Sequence, residues 1–553
     1  MSIIIQDTWL RRTGSTLSTR IPATDNAIIG GTTPDTSTVF QLDSTTRGFL
    51  PPRLTTVERD AVGAPATGLT VYNTTTSQKE FFNGARWGAT SANIGPRQFD
   101  ATVDANGNGD FTSIVAAFSA GNRQVFVRQG VYIEPADIVI PNSGALVGEF
   151  AGAVIILPAA GFGVTMDGSG RRTTAGSASA TNGSAIVTGI GTSFTTLLPG
   201  DFALLNGIFH EISVITNNTT LTLDKVYRGK SFAPIAFEGQ SMFLGARLDN
   251  VIVTLTTVSA LQITQVFFPI VTSCLFDACG SLINPSVTCV DSSGLLLFGA
   301  VAQDAPGVGF DFLRVQGASL ADTIAKNNVG RGYSFRDSRI ITVSECLSTQ
   351  NNDDGFFVDL DCAEIGFGTC ASIQNNADGF QTAAASIITF TGCIACNNTL
   401  VGMNLASDNT LVVGCDVKNN SGRGIVAPLN STINGCNVSA NVGGIDASGA
   451  SGVVISNNFL RNNNVSGGII LGDDCQATGN HLFNNTGIGI SVPNKDNCVI
   501  VGNRVRGSTT DGINIAVGST DTILGDNNAL GNTGTDIVDN GIGTSRSNNK
   551  PAP

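Results

Sequence analysis

From Gly309 to Gly512 the chain repeats itself. Glycines that precede an apolar residue fall at 309, 332, 355, 379, 402, 424, 444, 468, 489 and 512, at intervals of 20 to 24 residues. A second column runs Cys346, Cys370, Cys393, Cys415, Cys436, Asn458, Asn480 and Asn503, at intervals of 21 to 24. A third holds Asn pairs: Asn351-Asn352, Asn375-Asn376, Asn397-Asn398, Asn419-Asn420 and Asn484-Asn485. A period in the twenties carried by short β segments specifies a solenoid. The Leu-x-x-Leu-x-Leu frame of leucine-rich repeats is absent, so the reading is an all-β parallel β-helix with coils of about 22–23 residues. Stacked coils lie ~4.8 Å apart, so like side chains form ladders. An Asn ladder hydrogen-bonds along the stack. The Cys column reads as small, buried and apolar.

Composition agrees with this. Glycine is 66 of 553 residues, and only 13% of residues are charged, too few for long helices with solvated faces. The net charge of −13 argues against nucleic acid, which needs clustered Lys and Arg, and against an anionic membrane surface. No apolar run reaches 18 residues, so no membrane insertion is expected. The apolar stretch Ile3–Ile5 is too short for a secretory h-region. Folding in a cytoplasm follows as the expectation, with the 12 Cys as thiols rather than disulfides. Cys393-x-x-Cys396 has no second pair beside it, so no metal site is expected. No phosphate loop or dinucleotide fingerprint is visible, and no cofactor is expected.

Along the chain, residues 1–25 read as an arm whose apolar patch, including Ile4, Trp9 and Leu10, suits docking onto a larger assembly. Residues 26–95 alternate apolar segments with turns and read as a small β module. The string Leu42-Asp43-Ser44-Thr45-Thr46-Arg47-Gly48-Phe49-Leu50-Pro51-Pro52-Arg53-Leu54-Thr55 belongs to it. So do Glu58-Arg59-Asp60-Ala61, Pro65–Thr74, Phe82-Asn83-Gly84 and Trp87. Over about 50 residues this resembles a linker module of viral tail fibres and related virion appendages. Residues 98–172 hold a turn-rich opening, a short amphipathic helix over Thr112–Ser119 and strand candidates. They resemble the entry to the pectin-lyase-like right-handed β-helix, where a helix caps the first coil. Residues 173–238 resemble a small β-barrel insertion of phage tail proteins. Residues 239–540 are the β-helix proper, and 541–553 a capping or loose tail.

Glycoside hydrolysis needs two carboxyl groups about 5 to 9.5 Å apart. One cluster fits: Asp353, Asp354, Asp359, Asp361, Glu364 and Asp378. On a strand, Asp359 and Asp361 share a face at ~6.6 Å. Asp354 and Asp378 take the same repeat position one coil apart, where like charge raises one pKa. Against this, Asp354-Gly355, Asp378-Gly379 and Asp511-Gly512 also read as recurrent Asp-Gly turns. His210 and His481 read as core-edge or surface residues. From Gly239 onward there is no Trp and only Tyr333, and Phe335, Phe356, Phe357, Phe380 and Phe390 suit buried ladders rather than a sugar-stacking groove.

The expectation is a structural virion appendage, a tail fibre or spike. Its N-terminal region attaches to other tail proteins, and its β-helix contacts a host-surface glycan or receptor. The resemblance implies a homotrimer. The alternative is a tailspike depolymerase, a hydrolase or lyase using these carboxylates. A secreted bacterial β-helix protein is disfavoured by the missing signal peptide.

Overall fold

The computed structural model describes residues 10–13, 16–19, 27–29, 40–42, 46, 49–82, 84, 87–89, 99–159, 163–169, 172–206, 208–228, 230–241 and 243–550. Contacts divide the chain into two units, Met1–Arg97 and Gln98–Pro553.

In the first unit, Leu10–Thr13 pairs antiparallel with Thr16–Thr19, and Ala27–Ile29 pairs parallel with Phe40–Leu42. A four-stranded sheet joins Arg53–Leu54, Thr70–Asn73, Gln78–Phe82 and Trp87–Ala89. The Glu58-Arg59-Asp60 string is a short helix, Thr56–Asp60, with Thr55 and Glu58 closing a capping box, which satisfies two otherwise orphaned donors. Arg59 donates to Glu80 at 2.6 Å, and Asn73 and Thr76 donate to the same carboxylate. The ring of Phe82 packs on Trp87 at 5.5 Å. Residues quoted for the tail-fibre resemblance therefore supply much of this module's buried polar and aromatic contact.

The second unit is built from three parallel sheets of 17, 15 and 15 strands. Each coil contributes one strand to each sheet: Arg339–Ser344, Leu347–Thr349 and Phe356–Val358, then Ala363–Gly368 begins the next. Strand register repeats the sequence period. In the first sheet Val343 pairs with Phe367, Phe367 with Phe390, Phe390 with Val412, and Val412 with Ile433. Their side chains point inward and are buried.

Both sharp corners of the coil have one construction: a left-handed residue followed by an inward Asn or Cys. At the first corner these are Glu345-Cys346, Thr369-Cys370 and Asn457-Asn458. At the second they are Asn327-Asn328, Gln350-Asn351, Asn397-Asn398 and Asn484-Asn485. Asn tolerates this backbone region better than most residues. The Asn pairs therefore split into two roles. In Asn397-Asn398 the first residue bends the chain and the second is buried. In Asn351-Asn352 the buried residue is the first, and Gln350 makes the bend. The continuous ladder is Asn328, Asn351, Asn375, Asn398, Asn420, Asn441, Asn463 and Asn485. Each Nδ2 donates to the next Oδ1 at 2.9–3.3 Å. At the other corner the Cys column passes into a second ladder, Asn458, Asn480, Asn503, Asn527 and Asn549, with 3.0 Å links.

Aromatic rings stack inside the third sheet. Phe310, Tyr333, Phe356 and Phe380 follow one another with centroids 4.6–5.1 Å apart and near-parallel planes. The first coil is closed by the helix Ile114–Ser119. Buried Glu134 accepts from the Ile114 and Val115 amides and the Ser113 hydroxyl, so a carboxylate sits where a helix start favours negative charge. At the other end, where the sequence reading left a capping or a loose segment open, the stack continues. Residues 545–547 form a further rung, and the second Asn ladder runs on to Asn549. There Arg546 takes the inward column of Leu524 and pairs with Asp539, placing charge at the open end of the stack.

The insertion is an antiparallel eight-stranded sheet around its own buried cluster, which includes Val187, Phe194, Ile212, Leu221 and Phe237. Strand Phe232–Ala236, paired with Ser177–Ala180, runs on through Phe237 into Glu238–Gln240, which pairs with Phe202–Leu205, so the sheet curls back on itself as the barrel reading expects. It docks on the solenoid through Phe202, stacked 4.0 Å from Phe267, and through Arg339, which donates to the Asn206 carbonyl.

Candidate functional site

The carboxylate cluster meets the outer side of the third sheet. There Asp311, Ser334, Phe357, Gln381 and Asn404 stand in register on successive coils. Inward neighbours such as Phe356 and Phe380 are locked in the aromatic stack, so the outward residues are held at ladder spacing. Arg336 pairs with Asp311. Arg331 lies over the Phe357 ring, 3.4 Å from its centroid, and reaches Asp354 at 3.3 Å and Asp353 at 3.5 Å.

Asp354 and Asp378 are neighbours on adjacent coils, but each carboxylate is engaged by the scaffold. Asp354 accepts from the Asp378 amide at 3.1 Å. Asp378 accepts from the Val401 amide and the Asn404 side chain, both at 2.8 Å. They are only 3% and 4% exposed. Burial, reinforced by Asp353, pushes the Asp354 carboxyl up to about 6, while the Asp378 amide and Arg331 pull it down. Burial also raises Asp378, against hydrogen bonds from Asn404 and Val401.

The other three acids lie elsewhere. The strand ends at Val358, so the extended spacing assumed for Asp359 and Asp361 does not apply. Asp359 accepts from the Leu360 amide. Asp361 sits exposed in a left-handed bend. Glu364 is exposed at a left-handed position shared with Ile340 and Ile387 in the adjoining coils. The cluster thus divides between the two ends of strand Phe356–Val358, about 10 Å apart at the rise of a strand. Arg331 and Phe357 complete the surface: Arg331 was not singled out from the sequence, and Phe357, read there as a buried-ladder residue, instead stands in the outward column under the Arg331 guanidinium. Arg331-Gly332 occupies the same column as Asp354-Gly355 and Asp378-Gly379, and that alignment carries the signal.

A raised carboxyl has a definite pH signature. Above pH 6 Asp354 is ionised in both states and the fold bears the burial penalty; below about 4 it is protonated in both and the penalty vanishes. The folded state binds the extra proton between, so Asp354 makes stability rise as pH falls from about 6 to 4, by roughly 1–3 kcal/mol. In Asp354→Asn this increment disappears. Denaturant midpoints of both proteins across pH 4 to 7.5 measure it, and parallel pH curves contradict it.

All twelve cysteines are buried free thiols. Burial pushes Cys274 and Cys289 up to about 12, so they stay protonated. Among the described residues no group of three or more His, Cys, Asp or Glu is placed to hold a metal. None of the described helices is long and apolar enough to cross a membrane. His210 lies in the insertion beside Tyr227 at 5.3 Å, its pKa lowered by burial. His481 is exposed on the second sheet. Of the attachment residues, Ile4 and Trp9 lie outside the described residues, and Leu10 opens the strand paired with Thr16–Thr19.

Two family models match. Residues 28–104 match the phage tail like trimerisation region. Residues 404–550 match the right handed beta helix region. No curated protein sequence matches the chain. Among solved structures, the tailspike gp61 of Pseudomonas phage phi297 is 11% identical with a TM-score of 0.41, covering 75% of this chain and 72% of its own. The tailspike gp49 of Pseudomonas phage LKA1 is 14% identical with a TM-score of 0.42, covering 74% and 75%. The mannuronan C-5 epimerase AlgE6 A-module of Azotobacter vinelandii is 13% identical with a TM-score of 0.35, covering 79% and 93%. The chain thus carries a region similar to the phage tail like trimerisation region ahead of a right-handed parallel β-helix.

Proposed function

We propose that this chain is a structural appendage of a phage tail, a homotrimeric fibre or spike. In this reading the N-terminal region attaches to other tail proteins, with Ile4, Trp9 and Leu10 in the attaching arm. The β-helix is the part that meets a glycan on the host surface, and the protein assembles in the host cytoplasm before joining the particle. The observation that carries this is the match of residues 28–104 to a phage tail trimerisation region. Two further features support it. The coils are cross-linked by buried side-chain ladders, which suits a rigid shaft. The net charge of −13 does not suit nucleic acid. Antibody against the β-helix, imaged on purified particles, tests the reading: label at the tail is expected, and unlabelled particles carrying no copy of the chain overturn it.

Depolymerase activity is a second reading, favoured by one observation: Asp354 has a carboxyl raised to about 6, in the range of a general acid. Asp378, Asp359, Asp361 and Glu364 are its candidate partners. Incubating the protein with host capsule or lipopolysaccharide tests it. New reducing ends or unsaturated products that vanish in Asp354→Asn support cleavage; intact glycan leaves adhesion alone.

A further inference from the structure

The outer side of the second sheet changes chemistry along the solenoid. From Ile252 through Leu347 to Ile394 one outward column is aliphatic. At Asp416 it turns polar, and two coils further on it becomes cationic and aromatic. Strands Phe459–Arg461, His481–Phe483 and Arg504–Arg506 stack in register there. Phe459, His481 and Arg504 form one outward column; Arg461, Phe483 and Arg506 form the next. The residues between them, Leu460, Leu482 and Val505, are buried, so all six named side chains face outward.

Three observations single out this patch. Phe459 and Phe483 are 41% and 47% exposed, each beside a cation, and the Arg461 guanidinium lies 5.7 Å from the Phe459 ring centroid. Elsewhere on the solenoid Arg247, Arg314, Arg331, Arg336, Arg423 and Arg546 are each paired with an Asp. Among the described residues no ion pair engages Arg461, Arg504 or Arg506. Finally, Arg506 Nε is buried with no acceptor, a donor held in place without its partner, which is costly unless a ligand supplies one. Along these columns and their corner, acids flank the patch rather than interleave with it: Asp416 is held by Lys418 and Asn437, and Asp526 lies in the bend before Asn528.

We propose that this face binds an anionic polysaccharide, one carrying sugar carboxylates. Flat rings take the apolar faces of sugars. Guanidinium forks take carboxylates in bidentate fashion. The columns repeat every ~4.8 Å along the stack, so an extended polymer lying along the solenoid meets ring and cation alternately. Three arginines on a chain of net charge −13 are too few for a phosphate polymer, whose binding rests on many cations. This rests on the adhesin reading and names its ligand class.

The test uses the full chain, with polygalacturonate as the probe, neutral dextran as the control and a single-stranded DNA oligonucleotide as the competing class. Native protein is expected to bind polygalacturonate and not dextran. In Arg461→Gln/Arg504→Gln/Arg506→Gln the dissociation constant should rise about tenfold or more, and the salt dependence should flatten as three charged contacts are lost. Phe459→Ala/Phe483→Ala should weaken binding severalfold at unchanged salt dependence. Unchanged thermal midpoints establish that these surface variants fold. No binding to polygalacturonate by native protein, equal binding by all variants, or binding to the oligonucleotide alone overturns the proposal. Polygalacturonate binding that follows these residues, with no chain on the particle, sinks the appendage reading and leaves the site standing. The reverse pattern does the opposite.

Discussion

Gly444→Ala should lower the unfolding midpoint sharply, with a loss of about 3 kcal/mol or more, at the upper end of overpacking costs. A Cβ on Gly444 would lie 2.0 Å from the Gly468 carbonyl oxygen, 2.8 Å from Leu460 Cδ2 and 2.9 Å from the Gly468 carbonyl carbon. Two of these three atoms are backbone of the next coil, which its own ladders hold, so nothing can give way. The same crowding recurs down the column: Gly332, Gly355, Gly379, Gly489 and Gly512 each face the following coil's carbonyl at 2.4–2.7 Å. These glycines are therefore fixed by close approach and not by a turn. Gly368→Ala is the matched control, since no heavy atom lies within 4 Å of its added Cβ and its backbone is ordinary; a change within about 0.5 kcal/mol is expected. Equal midpoints for the two variants would contradict the close-approach explanation.

Asn398→Ala should cost about 3–5 kcal/mol, since it orphans several buried groups at once. Asn398 is fully buried. Its Oδ1 accepts from the Asn375 amide at 3.0 Å and Asn375 Nδ2 at 3.1 Å. Its Nδ2 donates to the Ser372 carbonyl and to Asn420 Oδ1. Asn398→Asp separates hydrogen bonding from packing, because it preserves the shape. An ionised carboxylate has no donor for the Ser372 carbonyl or Asn420 Oδ1, so at neutral pH the Asp variant should be less stable than the Ala variant. Its folded pKa must then lie above the unfolded value of about 3.9. Stability returns as pH falls below the folded pKa and is lost as pH rises through it. Denaturant midpoints of both variants from pH 3 to 7 measure this. A pH-independent gap between them would mean that the ladder acts by filling space.

Much of the fold was legible in the sequence. The drift of the Gly and Cys/Asn columns, 20 to 24 residues per step, is the strand register itself. The passage from Cys436 to Asn458 within one column marks where a thiol ladder becomes an amide ladder. What was hidden depended on directions that periodicity does not carry. The Asn pairs looked uniform, yet the left-handed bend falls on Asn397 in one coil and on Gln350 in another, which shifts the buried residue within the pair. The Gly column read as turns because Asp-Gly is a turn signal, whereas the constraint comes from a carbonyl one coil away. Asp359 and Asp361 looked like strand neighbours because nothing local marks the end of the strand at Val358. The Arg461, His481, Phe483, Arg504 and Arg506 face was readable in principle. Asn458, Asn480 and Asn503 are each followed by an outward, an inward and an outward residue, and aligning those triplets brings the cations and rings together.

The mass of the intact protein in dilute solution, measured by light scattering on the full chain, bears most directly on the appendage reading. A trimerisation region over residues 28–104 predicts a particle of three times the 56.9 kDa chain mass. That mass should fall to the single-chain value when the first unit, Met1–Arg97, is deleted and the β-helix remains folded. A full-length protein that stays at 56.9 kDa across micromolar concentrations would contradict it.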